Sequence, residues 1–209
     1  MTFRVARSIL KTQRILLTPM KLILLGGVQG TGKTTLLSWL RHVYGKRLTL
    51  LDPGELFRRY HYDRKIRTTE EIEELILQKL ESLPDDAMAV AHWHYAVRRP
   101  MGYIPQIALS RLTRLAQGRK LEHVTLFVVE APAHTIQKRR MKDRASKKRA
   151  LLLSDIREEI AADEEFLAQY DAIFKKALGA QNVITVRLQN TNLAVAKRHL
   201  GAHVSALCA

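Results

Sequence analysis

The sequence lacks several things, and each absence narrows what the chain can be. It holds one cysteine, Cys208, beside its C-terminus, so no internal disulfide framework exists. That usage fits a reducing compartment. No apolar run approaches the roughly 20 residues a membrane-spanning helix needs. There is no internal repeat and no low-complexity linker, which sets aside solenoids and arrays. Acid is scarce: 20 Asp and Glu stand against 35 Lys and Arg, for a net charge of +15, and no acidic residue precedes Asp52. Such a balance predicts attraction to polyanions (nucleotides, RNA or anionic surfaces) as a property of the whole surface. At 209 residues with 46% hydrophobic content, the chain is long enough to bury a core as one domain.

What is present is concentrated in one stretch, Lys21 to Thr35. Leu22–Leu25 is a run of apolar residues suited to a buried parallel strand. Gly26, Gly27, Gly30 and Gly32 follow, then Lys33-Thr34-Thr35 and an apolar helix pattern from Leu36. Gly27-x-x-x-x-Gly32-Lys33-Thr34 is a complete P-loop. Its glycines let successive N–H groups turn inward onto phosphate oxygens. The helix start adds its dipole. The binding set is thus Gly27, Gly30, Thr31, Gly32, Lys33, Thr34 and Thr35. Lys33 supplies a cation to the outer phosphates, and the Thr34 hydroxyl is placed to ligate Mg²⁺.

Strand-like and helical patterns alternate along the rest of the chain. Strands are expected at 47–52, 87–91, 124–130 and 182–188, and helices at 54–60, 68–83, 107–117, 155–178 and 192–203. Thr68-x-x-Glu71 is a capping box. The fold class is therefore α/β: a doubly wound parallel sheet of about five strands with helices on both faces. Ligands in such a sheet sit at the carboxyl ends of the strands, which singles out Asp52, His92 to Arg99 and Glu130 as well as the loop. Residues 1–19 carry Arg4, Arg7, Lys11 and Arg14 and no acid. They read as a basic arm or a misplaced start, with organelle import as the alternative. The domain proper is expected over 20–209, in a cytoplasmic protein.

Four blocks in order resemble the nucleoside monophosphate kinases, most closely the archaeal-type adenylate kinases, over Met20 to about Asn192. They are the loop itself; His92-Trp93-His94 followed by Arg98-Arg99-Pro100-Met101-Gly102-Tyr103-Ile104-Pro105; Phe127-Val128-Val129-Glu130 with the helix running to Arg139-Arg140; and the basic 142–149 stretch ahead of a long helix. The resemblance implies ATP as donor, a nucleoside monophosphate (AMP first) as acceptor, and Mg²⁺. It also implies two small lids: an acceptor insert at about 53–83 and an arginine lid at about 138–153. Lys33, Arg98, Arg140 and Arg144 are the candidate catalytic residues, and Arg149 joins the ATP-binding set. Arg99, Arg64 and Arg67 are further candidates around the acceptor.

One departure stands out. The family carries an aspartate where His92 stands, while His94 matches the family histidine. Imidazole suits a Mg²⁺ shell poorly, so Asp52 or Glu130 takes over that carboxylate's part or the activity is altered. His92 and His94 share a strand face, as a Zn²⁺ pair would, but no further ligand adjoins them in sequence. Trp93 and Tyr95 serve either to stack on a base or to fill the core. Two other readings stay open: a P-loop kinase with another small phosphate or hydroxyl acceptor, and an RNA- or ribosome-associated P-loop ATPase.

Overall fold

The structure is a computed structural model that describes residues 20–118, 121–143 and 149–208. Residues 1–19 and Arg144 lie outside the described residues. Five parallel strands form the main sheet in the order β2-β3-β1-β6-β7. They are β1 (Met20–Gly26), β2 (Thr49–Leu51), β3 (Met88–His92), β6 (Leu121–Glu130) and β7 (Val183–Gln189).

β1 lies at the centre, paired with β3 on one side and β6 on the other. Its uninterrupted apolar run follows from that position, because both of its faces are covered. Leu22 and Leu24 enter a core shared with α3 (Thr69–Glu81), α4 (Leu109–Gln117) and α6 (Leu153–Leu178). Ile23 and Leu25 enter a second core shared with α1 (Lys33–Tyr44) and α7 (Leu193–Cys208). The remaining helices are α2 (Pro53–Phe57), capped by the Asp52 side chain, and α5 (Ala133–Lys142). A wide π-type turn, Arg58–Asp63, continues α2. Both halves of the Thr68–Glu71 capping box form at the start of α3. No helix among the described residues is long and apolar enough to cross a membrane.

The pattern did not anticipate a hairpin set apart from the sheet: β4 (Ala96–Arg99) with β5 (Gly102–Pro105), antiparallel. Two arginines and two prolines across ten residues mask its alternation. Its turn depends on Gly102, whose φ is 116°. The hairpin follows β3 through Tyr95, which is fully buried beneath the loop. The Tyr95 hydroxyl reaches the carbonyl oxygens of Leu24 (3.2 Å) and Phe127 (3.0 Å), joining β1 to β6. Trp93 is buried too, so both aromatics fill the core.

A methyl group at Gly26 would overlap the Tyr95 ring. Gly26→Ala should therefore destabilise the fold by about 2 kcal/mol, read from the midpoint of urea unfolding. A midpoint equal to wild type would contradict this packing.

Candidate functional site

The loop from Gly26 to Lys33 crosses the top of the sheet and ends as the first turn of α1. Gly27, Gly30 and Gly32 have φ of 121°, 88° and 100°, conformations that side-chain-bearing residues rarely adopt. These turns aim amide N–H groups into the loop and send its carbonyl oxygens outward or across it. Each carbonyl from Gly27 to Thr31 has a partner. Lys33 Nζ donates to Gly27 O and to Val28 O (2.9 Å). Thr31 Oγ1 donates to Val28 O (2.9 Å). Arg140 donates to Gln29 O through Nε (3.1 Å) and Nη2 (2.7 Å). Arg139 Nη1 donates to Gly30 O (3.4 Å) and Thr31 O (3.1 Å), and Asn190 Nδ2 donates to Thr31 O (2.7 Å).

Arg140 also binds Ala150 O (3.1 Å) and Glu159 (2.8 Å), and it is only 1% exposed. The sequence suggested a guanidinium that meets substrate. In the structure it holds the loop from outside, with every hydrogen-bonding arm engaged by protein. Lys33 lies inside the loop, Thr34 is exposed in the first turn of α1, and the Arg149 charge is felt at Lys33. Arg149 reaches Asp143 at 3.4 Å.

Electrostatics around Lys33 are tight. Burial lowers its ammonium to about 8; Asp163 and Glu159 pull it up, while Arg149 and Arg140 add to the fall. Asp163 is pushed up to about 6 by burial, against Lys33 and the Ala96 and Tyr95 N–H groups that bond it. His94 is held well below its ordinary value by burial first, then by the charges of Lys33 and His92.

The candidate cation ligands separate. Glu130 is engaged by Arg187 and by Gln189. Asp52 ends β2, accepts from His92 Nδ1 (3.2 Å) and from Glu55 N–H (3.3 Å), and lies 4.0 Å from Arg58. Burial raises its carboxyl, but the His92 bond and charge, Glu55 and Arg58 outweigh this and leave it below the usual carboxylate range. Both carboxylates are thus held by protein donors, and the exposed Thr34 hydroxyl is an oxygen donor of the kind a hard cation takes. Among the described residues no three His, Cys, Asp or Glu groups converge on a metal position, so His92 and His94, with ring centroids 5.6 Å apart, acquire no third ligand.

Arg98 is exposed on β4 rather than in a loop after β3. Arg99 Nη2 reaches Thr69 Oγ1 (3.5 Å), at the start of α3. Arg67 and Arg59 both stack over Tyr60, with centroid distances of 5.5 and 5.4 Å.

Sequence reading missed Arg139 and Asn190 as braces, and Glu159 and Asp163 as neighbours of Lys33. One signal was available. Ile156, Ile160, Asp163, Leu167, Tyr170 and Phe174 recur at helical spacing, so Asp163 interrupts an apolar stripe and must be satisfied within the core.

No family model matches the chain, and no curated protein does. Solved structures do. The protein APE1195 matches at 18% identity with a TM-score of 0.54, covering 92% of this chain and 98% of that one. A deoxyadenosine kinase from M. mycoides, solved with dCMP and a flexible dCDP, matches at 13% identity with a TM-score of 0.50, covering 90% and 100%. A chain described as a kinase from Chloroflexus aurantiacus matches at 14% identity with a TM-score of 0.50, covering 90% and 97%. At these identities the likeness establishes the fold alone, a parallel α/β sheet flanked by helices that this chain shares with them.

Lys33 attracts phosphate only when charged. Triphosphate affinity should hold steady below pH 7 and fall above pH 8, where Lys33 passes through its midpoint, by up to about tenfold per pH unit. Calorimetric titration across pH 6.5–9.5 measures this, and a flat profile would contradict it.

Proposed function

We propose that this chain is an ATP-dependent kinase of a small substrate, and within that class a nucleoside monophosphate kinase that turns ATP and AMP into two ADP. The observation that carries the reading is the braced loop with the Lys33 ammonium inside it. A neutral ligand would gain nothing from a buried cation and inward-facing amides, whereas a polyphosphate is bound by both. Phosphoryl transfer asks for charge around the equatorial oxygens and exclusion of water, with little covalent work by the protein. Lys33 supplies the charge at the seat and Arg149 adds to it; Arg144 is assigned to the same task from sequence. Arg140 acts by keeping the loop in shape. Mg²⁺, when bound, would be held by the Thr34 hydroxyl, with Asp52 or Glu130 as the candidate carboxylate, and would supply positive charge to the phosphates.

AMP rests on the sequence resemblance and on the basic surround of the acceptor side. Arg98 and Arg99 sit on the hairpin, and Arg59 and Arg67 on the insert. The likeness to a deoxyadenosine kinase supports a small nucleotide or nucleoside acceptor in general. We assign no RNA partner, because the basic charge alone does not distinguish RNA from nucleotide.

Purified protein with ATP, Mg²⁺ and each common monophosphate in turn should form ADP fastest with AMP. Lys33→Ala should lose at least about a thousandfold in turnover, the scale of losing a principal electrostatic donor. Absence of ADP from every monophosphate, despite ATP binding, would sink the monophosphate reading. A screen of hydroxyl acceptors would then decide the class.

A further inference from the structure

α6 touches both substrate seats, and it does so along one face. Glu159, Asp163 and Tyr170 are four and then seven residues apart, so they stack on the same side of the helix. Glu159 Oε1 accepts from Gln29 N–H at the lip of the loop (3.2 Å), and Glu159 also pairs with Arg140. Asp163, 4% exposed, accepts through Oδ1 from Tyr95 N–H and Ala96 N–H, both at 3.1 Å, where the hairpin begins. The carboxylate borders a cavity of about 300 Å³ shared with Gly27, Val28 and Thr31. Tyr170 accepts from Ile107 N–H (3.3 Å) where the chain leaves the hairpin. Gln106 Oε1 accepts from His94 N–H (2.6 Å) and closes the hairpin's base. The far edge of the hairpin reaches the acceptor insert through Arg99 and Thr69.

We propose that α6 is a coupling rod between the donor and acceptor seats: Glu159 senses a polyphosphate in the loop, and Asp163 with Tyr170 passes the displacement to the β4–β5 hairpin. A polyphosphate brings like charge against the Glu159 carboxylate and competes with it for the loop's N–H groups. Glu159 yields, and α6 shifts with it. The hairpin follows because both of its ends are tied to α6, and it carries Arg98 and Arg99 with it. Asp163 and Tyr170 are positioning residues in this scheme and touch no substrate. The inference rests on the loop being the donor site and the hairpin facing the acceptor.

Hydrogen–deuterium exchange on the full chain tests it, with and without the Mg²⁺ complex of the β,γ-imido analogue of ATP. In wild type the analogue should slow exchange across 97–104 by roughly fivefold and raise AMP affinity by a similar factor, as reciprocal coupling requires. Asp163→Ala and Glu159→Gln should reduce both effects to near onefold. Asp163→Asn should retain them, because its amide oxygen still accepts the two N–H bonds. Unchanged exchange in saturated wild type, or a wild-type response in Asp163→Ala, overturns the proposal. If the analogue does not bind, the donor reading fails first, and the tie between α6 and the hairpin is judged without ligand. Asp163→Ala must then exchange the hairpin faster than wild type while Asp163→Asn does not, and equal rates in all three overturn it.

Discussion

A loop that turns its amides inward must find partners for its carbonyl oxygens, and much of the site is arranged by that need. The five carbonyls from Gly27 to Thr31 cannot pair with one another, and leaving them buried without partners would cost about 1–3 kcal/mol each. The partners arrive from three directions: Lys33 and Thr31 from within the loop, Arg139 and Arg140 from α5, and Asn190 from the end of β7. The loop follows β1 at the centre of the sheet, α5 follows the neighbouring β6, and Asn190 follows β7 at the edge.

The same need explains why so much positive charge is buried. Two guanidinium groups and one ammonium crowd the loop, and the acids on α6 keep that crowd tolerable. Glu159 pairs with Arg140, and Asp163 lies close to Lys33. α6 thus does more than cover the sheet: it supplies the counter-charges of the loop. Because Asp163 is also bonded to the start of β4, the electrostatics of the loop and the shape of the hairpin share one carboxylate.

The fold was legible in the sequence where pattern and chemistry agreed. The apolar run before the glycines, the capping box at Thr68 and the alternation of strand with helix each follow from local rules, and each is in the structure. The hairpin was not legible, since Arg98, Arg99 and Pro105 carry no strand-like alternation and its stability comes from α6. Within the site, the loop residues were readable because their spacing is fixed by phosphate geometry. The roles of Arg139, Arg140 and Asn190 were hidden because they come from contacts over about 50 to 160 residues of chain. A basic run looks the same in sequence whether it faces solvent, substrate or a backbone carbonyl.

Arg140 separates the alternatives most directly. If it braces the loop, Arg140→Met removes partners from Gln29 O and Glu159 and should weaken Mg²⁺–ATP binding by at least about tenfold, with turnover at saturating ATP falling less. Calorimetric Kd and saturating kcat on one preparation give both numbers. An unchanged Kd with turnover lost would place the guanidinium on the substrate and contradict the account.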